Sequence, residues 1–137
     1  MGYCVVQDMT DRYGQAEMAA ITDRTAGVTL DNAVAQRAVD DASSEMDSYL
    51  ASRYRLPLTV APVVLKVVCA DLARYLLYKD RPTDEVRQRA EDARAWLKDL
   101  AKGYASLDLG PTQPAQTLLG SFTTNDRQFT RETLRGL

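Results

Sequence analysis

Chemistry-bearing side chains are sparse in this chain, and histidine is absent altogether. That removes the commonest general base and the commonest transition-metal ligand at once. What remains is an acidic group, Asp40, Asp41, Glu45 and Asp47, a single carboxylate in an apolar stretch, Asp71, two cysteines, Cys4 and Cys69, and the triplet Arg53-Tyr54-Arg55. Asp41 and Glu45 stand four residues apart on one helix face, where they could grip a hard cation. No glycine-containing loop and no further acid group supports them, so the spacing fits a solvated acidic face and no metal is assigned. Like charges at that spacing are slightly unfavourable, which leaves room for a cationic partner surface. No serine or cysteine has a histidine to activate it, and the scattered Gly2, Gly14 and Gly27 build no phosphate cradle. The residues therefore point away from an enzyme: no catalytic residue and no cofactor is assigned.

Asp71 lies in the most apolar part of the sequence, where a carboxylate must be paired or protonated. Arg74, three residues on, is its candidate partner in a structural ion pair. The alternative is a charge kept for contact with another subunit. Arg53-Tyr54-Arg55 has the mixture that stacks on bases or holds phosphate. In a chain of net charge −2 it better fits packing at an elbow, or contact with a partner protein. The two cysteines form no disulfide framework; Cys69 in particular reads as a small buried hydrophobe. Both are expected to be reduced and structural, as in a cytoplasmic setting.

A length of 137 residues implies one domain with a modest core. The longest apolar run, 62–78, is broken by Lys66, Asp71 and Arg74, so no membrane span is expected. Nor is a secretory leader, and Val6 stands where a myristoylation signal needs serine or threonine. Short helices are expected over 7–13, closed by Gly14, and over 15–23. A third runs over 32–53 behind the N-cap Asp31, with Ala35, Val39, Ala42, Met46, Tyr49 and Leu50 as its buried stripe. Pro57 pushes Leu56 out of the helical region, and Pro62 suits the first turn of a new helix reaching about residue 80. In that helix Leu65, Val68, Cys69, Leu72 and Leu76 form one face, which Val64, Val67, Tyr75 and Tyr78 extend. So apolar a helix must lie in the core or be covered by a partner. Thr83 caps a last helix that Gly103 stops.

Beyond residue 109 the pattern dissolves into glycine, proline, threonine and glutamine. The reading is an all-α bundle of four to five helices over 1–109, with an extended C-terminal arm over 110–137. Phe122, Phe129 and Leu134 are isolated apolar anchors in that arm. Arg127, Arg131 and Arg135 stand at steps of four and would share one face of a helical turn. These six, with Arg53, Tyr54 and Arg55, are the candidate partner-binding residues.

One ordered series of motifs carries a resemblance. It opens with Tyr3-Cys-Val-Val-Gln-Asp-Met-Thr-Asp-Arg-Tyr-Gly14 and Ile21-Thr-Asp-Arg24. Ala38-Val-Asp-Asp-Ala-Ser-Ser-Glu-Met-Asp-Ser-Tyr-Leu50 and Arg53-Tyr-Arg-Leu-Pro-Leu58 follow, then Cys69-Ala-Asp-Leu-Ala-Arg-Tyr75, Ala95-Trp-Leu-Lys-Asp-Leu-Ala-Lys-Gly103 and Arg127-Gln-Phe-Thr-Arg-Glu-Thr-Leu-Arg-Gly136. Together they resemble the phage Mu-type family of small virion proteins, formerly of unknown function and similar to head–tail connector (adaptor) proteins. The stretch between Gly110 and Asn125 departs from the family pattern. The resemblance implies a structural subunit of the virion neck, made in the host bacterial cytoplasm, with no enzyme activity. It implies a homo-oligomeric ring, a dodecamer, between the portal protein and a tail-side neck protein. DNA would pass through the lumen without sequence-specific binding, and no membrane is involved. A small helical regulatory or partner-binding module, acting as monomer or dimer, is the alternative.

Overall fold

Apolar periodicity becomes five helices in the computed structural model, which describes residues 2–58, 60–79 and 81–109. The first two, α1 (Val6–Tyr13) and α2 (Gln15–Thr22), are divided by Gly14, whose φ of 97° is open to glycine but costly for other residues. The Asp8 carboxylate accepts the Val5 N–H at 2.9 Å and so holds the entry to α1. Thr22 closes α2 and is wholly buried; its hydroxyl donates to the Met18 carbonyl at 2.6 Å and accepts the Asp31 N–H at 3.0 Å.

The loop between α2 and α3 (Asn32–Leu50) is organised by Asp23. Its carboxylate accepts the backbone N–H groups of Thr25, Ala26, Val28 and Thr29 and the Thr25 hydroxyl. The Thr25 hydroxyl first, and then the backbone donors, hold that carboxyl well below its ordinary range. Asp31 then caps α3, accepting from Ala33 and Val34 at 3.0 and 3.2 Å.

The third helix was expected to reach residue 53 but ends at Leu50. The N–H groups of both Arg53 and Tyr54 turn back to the Leu50 carbonyl, at 3.1 and 2.8 Å, and the Tyr54 ring swings inward. The elbow that follows contains a cis Leu56–Pro57 peptide. Pro62 stands just before α4 (Val63–Tyr78) rather than inside it. Thr83 accepts the Val86 N–H at 3.2 Å to start α5 (Asp84–Lys102). Gly103, at φ 91°, ends it, with the Tyr104 N–H returning to the Asp99 carbonyl at 2.8 Å and the Gly103 N–H to Leu100 at 3.2 Å.

The centre of the bundle is α4, which packs against each of the other four helices. Leu65, Val68, Cys69, Leu72 and Leu77 are buried along it, and Ala35, Ala38 and Ala42 on α3 let the two backbones approach closely. The burial is less even than the sequence implies. Leu76, Val67, Tyr75 and Tyr78 are only half-buried, and Val63 and Val64 in the first turn face outward. Tyr49, assigned to the buried stripe of α3, is also half-buried. Met9, Met18, Met46 and Leu97 complete the core from the surrounding helices. The extended arm assigned to 110–137 lies outside the described residues.

Leu72 is fully enclosed, so Leu72→Ala should destabilise the bundle by about 2–5 kcal/mol, measured by urea unfolding. Asp23→Ala should leave the bundle folded yet speed amide exchange at Thr25, Ala26, Val28 and Thr29. Exchange there at the unaltered rate would show that the carboxylate does not hold the loop.

Candidate functional site

Several of the polar groups singled out in the sequence join one helix to another. The acidic group on α3 does not converge. Asp40 accepts from Gln36 at 2.9 Å, Glu45 takes both arms of Arg94 on α5 at 2.7 and 3.2 Å, and Asp47 accepts the Tyr3 hydroxyl. The Arg94 guanidinium also lies 5.2 Å from the centre of the Tyr75 ring on α4, so one side chain binds three helices. Among the described residues, no three acidic, cysteine or histidine side chains gather as they would around a metal.

Asp71 and Arg74 do not form the expected ion pair with each other. The Tyr13 hydroxyl donates to Asp71 at 2.6 Å, with the Arg89 guanidinium 3.9 Å away. Arg74 instead makes a two-pronged contact with Glu17, at 2.6 and 2.9 Å, and its guanidinium sits 4.3 Å from the centre of the Tyr13 ring. The reason is geometric. With α1 and α2 folded onto α4, Glu17 offers both carboxylate oxygens to the planar guanidinium, which a neighbour on the same helix does less well. Nothing in the local sequence signals these pairs, because Tyr13 and Glu17 each lie more than fifty residues from their partners along the chain.

The Arg53-Tyr54-Arg55 triplet divides in a similar way. Tyr54 is only 2% exposed, and its hydroxyl accepts the Leu107 N–H at 3.0 Å. That burial removes it from the candidate partner contacts. Arg53 donates to the carbonyls of Leu100, in the last turn of α5, and Ala105, beyond its end, at 3.1 and 3.0 Å. A cation there also answers the negative end of the helix dipole. Arg53 is half-buried and committed to this clamp, while Arg55 is exposed. The remaining candidates, Phe122, Arg127, Phe129, Arg131, Leu134 and Arg135, lie outside the described residues.

Part of what the bundle leaves outward is apolar. Val60, Val63 and Val64 stand 46, 72 and 41% exposed at the start of α4. The neighbouring elbow forms one wall of an open cavity of about 380 Å³, lined by Gly2, Tyr3, Asp47, Leu56, Pro57, Leu58 and Ala61. Three large apolar side chains within five residues, next to a concave surface, suit binding to another protein better than binding a reactive small molecule. The signal for them was present in the sequence as an over-apolar helix; which end stays bare was not.

Comparison with known proteins gives a consistent picture. A family model described as bacteriophage Mu, Gp36, matches residues 3–123. The Mu-like prophage FluMu protein gp36 of Haemophilus influenzae is 40% identical over 107 residues, covering 78% of this chain and 76% of the relative. Gene product J of Escherichia phage Mu is 38% identical over 104 residues, covering 75% of this chain and 74% of its own.

Arg53→Ala should cost about 1–3 kcal/mol by urea unfolding, because one carbonyl in the last turn of α5 and one just beyond it lose a charged donor together. A pH effect follows from Tyr3 and Tyr13. Burial first, then hydrogen bonds to Asp47 and Asp71, push both phenols well above their ordinary value of 10.0. The unfolded chain therefore loses these protons first, so the stability they add is complete below pH 10 and declines as pH rises further. Replacing both by phenylalanine should flatten the alkaline arm of a stability–pH curve; an arm of unchanged slope would refute this.

Proposed function

Since the chain belongs to the bacteriophage Mu Gp36 family, we propose that it is a structural subunit of the phage neck, a head–tail connector (adaptor). In this reading, copies of the bundle form a ring beneath the portal protein, a dodecamer by resemblance. The opposite face receives a tail-side neck protein, and DNA passes through the lumen without sequence-specific contacts. The subunit is made in the host cytoplasm and resides in the virion at the head–tail junction. No step of this role asks for a catalytic group, a cofactor or a membrane.

The observation that carries the reading is the family match over most of the chain. Two further features support it. Several charged side chains tie helices together, as suits a rigid building block. The bare valines at the start of α4 offer an apolar contact to a neighbouring subunit. The arm residues Phe122, Phe129 and Leu134, with Arg127, Arg131 and Arg135, would add a second contact, since buried aromatic and aliphatic anchors supply most of an interface's energy.

Purified particles carrying a tagged copy should show the label at the junction of head and tail by electron microscopy. Deleting 126–137 should leave the melting temperature of the bundle unchanged while yielding filled heads and finished tails that do not join. Val63→Asp should produce the same defect, with helix content preserved by circular dichroism. A label absent from purified particles would overturn the connector reading in favour of a helical regulatory module. Infectious particles assembled from the truncated chain would remove the arm from the contact.

A further inference from the structure

The two cysteines, 65 residues apart in sequence, meet inside the bundle with their sulfurs 3.2 Å apart. Cys4 lies in the irregular segment 2–5 that precedes α1, and Cys69 in the middle of α4; both are buried and unbonded. Ser43 on α3 completes the group. Its oxygen is 3.5 Å from the Cys69 sulfur and accepts the Tyr3 N–H at 3.2 Å. That leaves the Ser43 proton free to point at Cys69. A disulfide has a sulfur–sulfur length of about 2.05 Å, so closing the pair takes a movement of about 1.2 Å. The part that must move is the 2–5 segment, which belongs to no helix and is tied to α3 through the Tyr3 N–H to Ser43 and the Tyr3 hydroxyl to Asp47.

We propose that Cys4 and Cys69 are a redox modification site, which a peroxide oxidises to a disulfide that clamps the 2–5 segment onto α4. The Cys69 thiolate attacks one oxygen of hydrogen peroxide. The O–O bond breaks, giving a sulfenic acid on Cys69 and a hydroxide that takes a proton to become water. The Cys4 sulfur then attacks the Cys69 sulfur; the S–S bond forms, the S–O bond breaks, and the hydroxyl leaves with the Cys4 proton as a second water. Two sulfurs are oxidised by one electron each, and both peroxide oxygens are reduced.

The surroundings favour this order of events. The Cys4 hydrogen bond, and then the Ser43 hydroxyl, shift the Cys69 thiol downward against the opposing effect of burial. Cys4 shifts upward, through its bond to Cys69 and through its burial. Cys69, which the Ser43 hydroxyl can reach, is the sulfur placed to attack first, and Cys4, on the segment outside the helices, is placed to resolve the intermediate. Peroxide reaches it when the 2–5 segment lifts away, a local opening that leaves the helices intact.

The test uses the full chain treated with hydrogen peroxide, followed by intact mass, thiol titration and thermal melting. The expected product is a monomer lighter by two hydrogens, with no titratable thiol. Its melting temperature should rise by about 5 °C or more, and dithiothreitol should reverse every change. Cys4→Ser and Cys69→Ser should each abolish the mass loss and the rise. Two thiols surviving prolonged peroxide would overturn the proposal. So would disulfide-linked dimers, or a sulfinic acid on Cys69 with Cys4 untouched. These readouts concern the isolated chain and do not depend on the connector role.

Discussion

A helix as apolar as α4 cannot stand at a surface, and the other four helices are disposed so as to cover it. Covering it on the α3 side demands close approach, which the alanines at 35, 38 and 42 permit. Covering it on the α1–α2 side demands two short helices that bend around it, which Gly14 permits. A helix enclosed in this way has few places for charge. Asp71 and Arg74 are tolerated because helices brought in to bury the apolar surface also bring Tyr13 and Glu17 within bonding distance. Hydrophobic burial sets the arrangement, and polar pairing then makes it specific.

Helix positions, caps and stops were legible along the chain because they depend on neighbours a few residues away. Asp31, Thr83 and Gly103 act as their types suggest. The stop of α3 was misjudged by three residues because Arg53 and Tyr54 look helical locally while their tertiary partners pull them out. Pairings between distant segments were not legible. Asp71 with Arg74 was the sensible local choice, and only the packing of α1 and α2 reveals better partners. The meeting of Cys4 with Cys69 belongs to the same class.

Three of the motifs that carried the resemblance, all among the described residues, act as motifs of architecture. In Arg53-Tyr54, one side chain closes the end of α5 and the other fills the elbow. In Asp71-Leu-Ala-Arg-Tyr75, the three polar residues reach α1, α2 and α5 respectively. Thr22-Asp23 builds the loop into α3. Side chains that share no reaction can still be fixed in type and order when each holds a different pair of helices in register. That is a second reason, beside the absence of histidine, why a search for chemistry in this chain returns mostly scaffolding.

The clamp between Arg53, Tyr54 and the segment after Gly103 also has a mechanical meaning. Ala105 and Leu107 are bonded to the α3–α4 elbow, not merely continued from α5. Tension applied to the chain beyond residue 109 is therefore not borne first by the last turn of α5, which would unravel one hydrogen bond at a time. The load would pass into the Arg53 and Tyr54 contacts at the elbow between α3 and α4 before it reaches the helix ladder. A joint of that kind spreads a pull over several bonds instead of opening them one at a time.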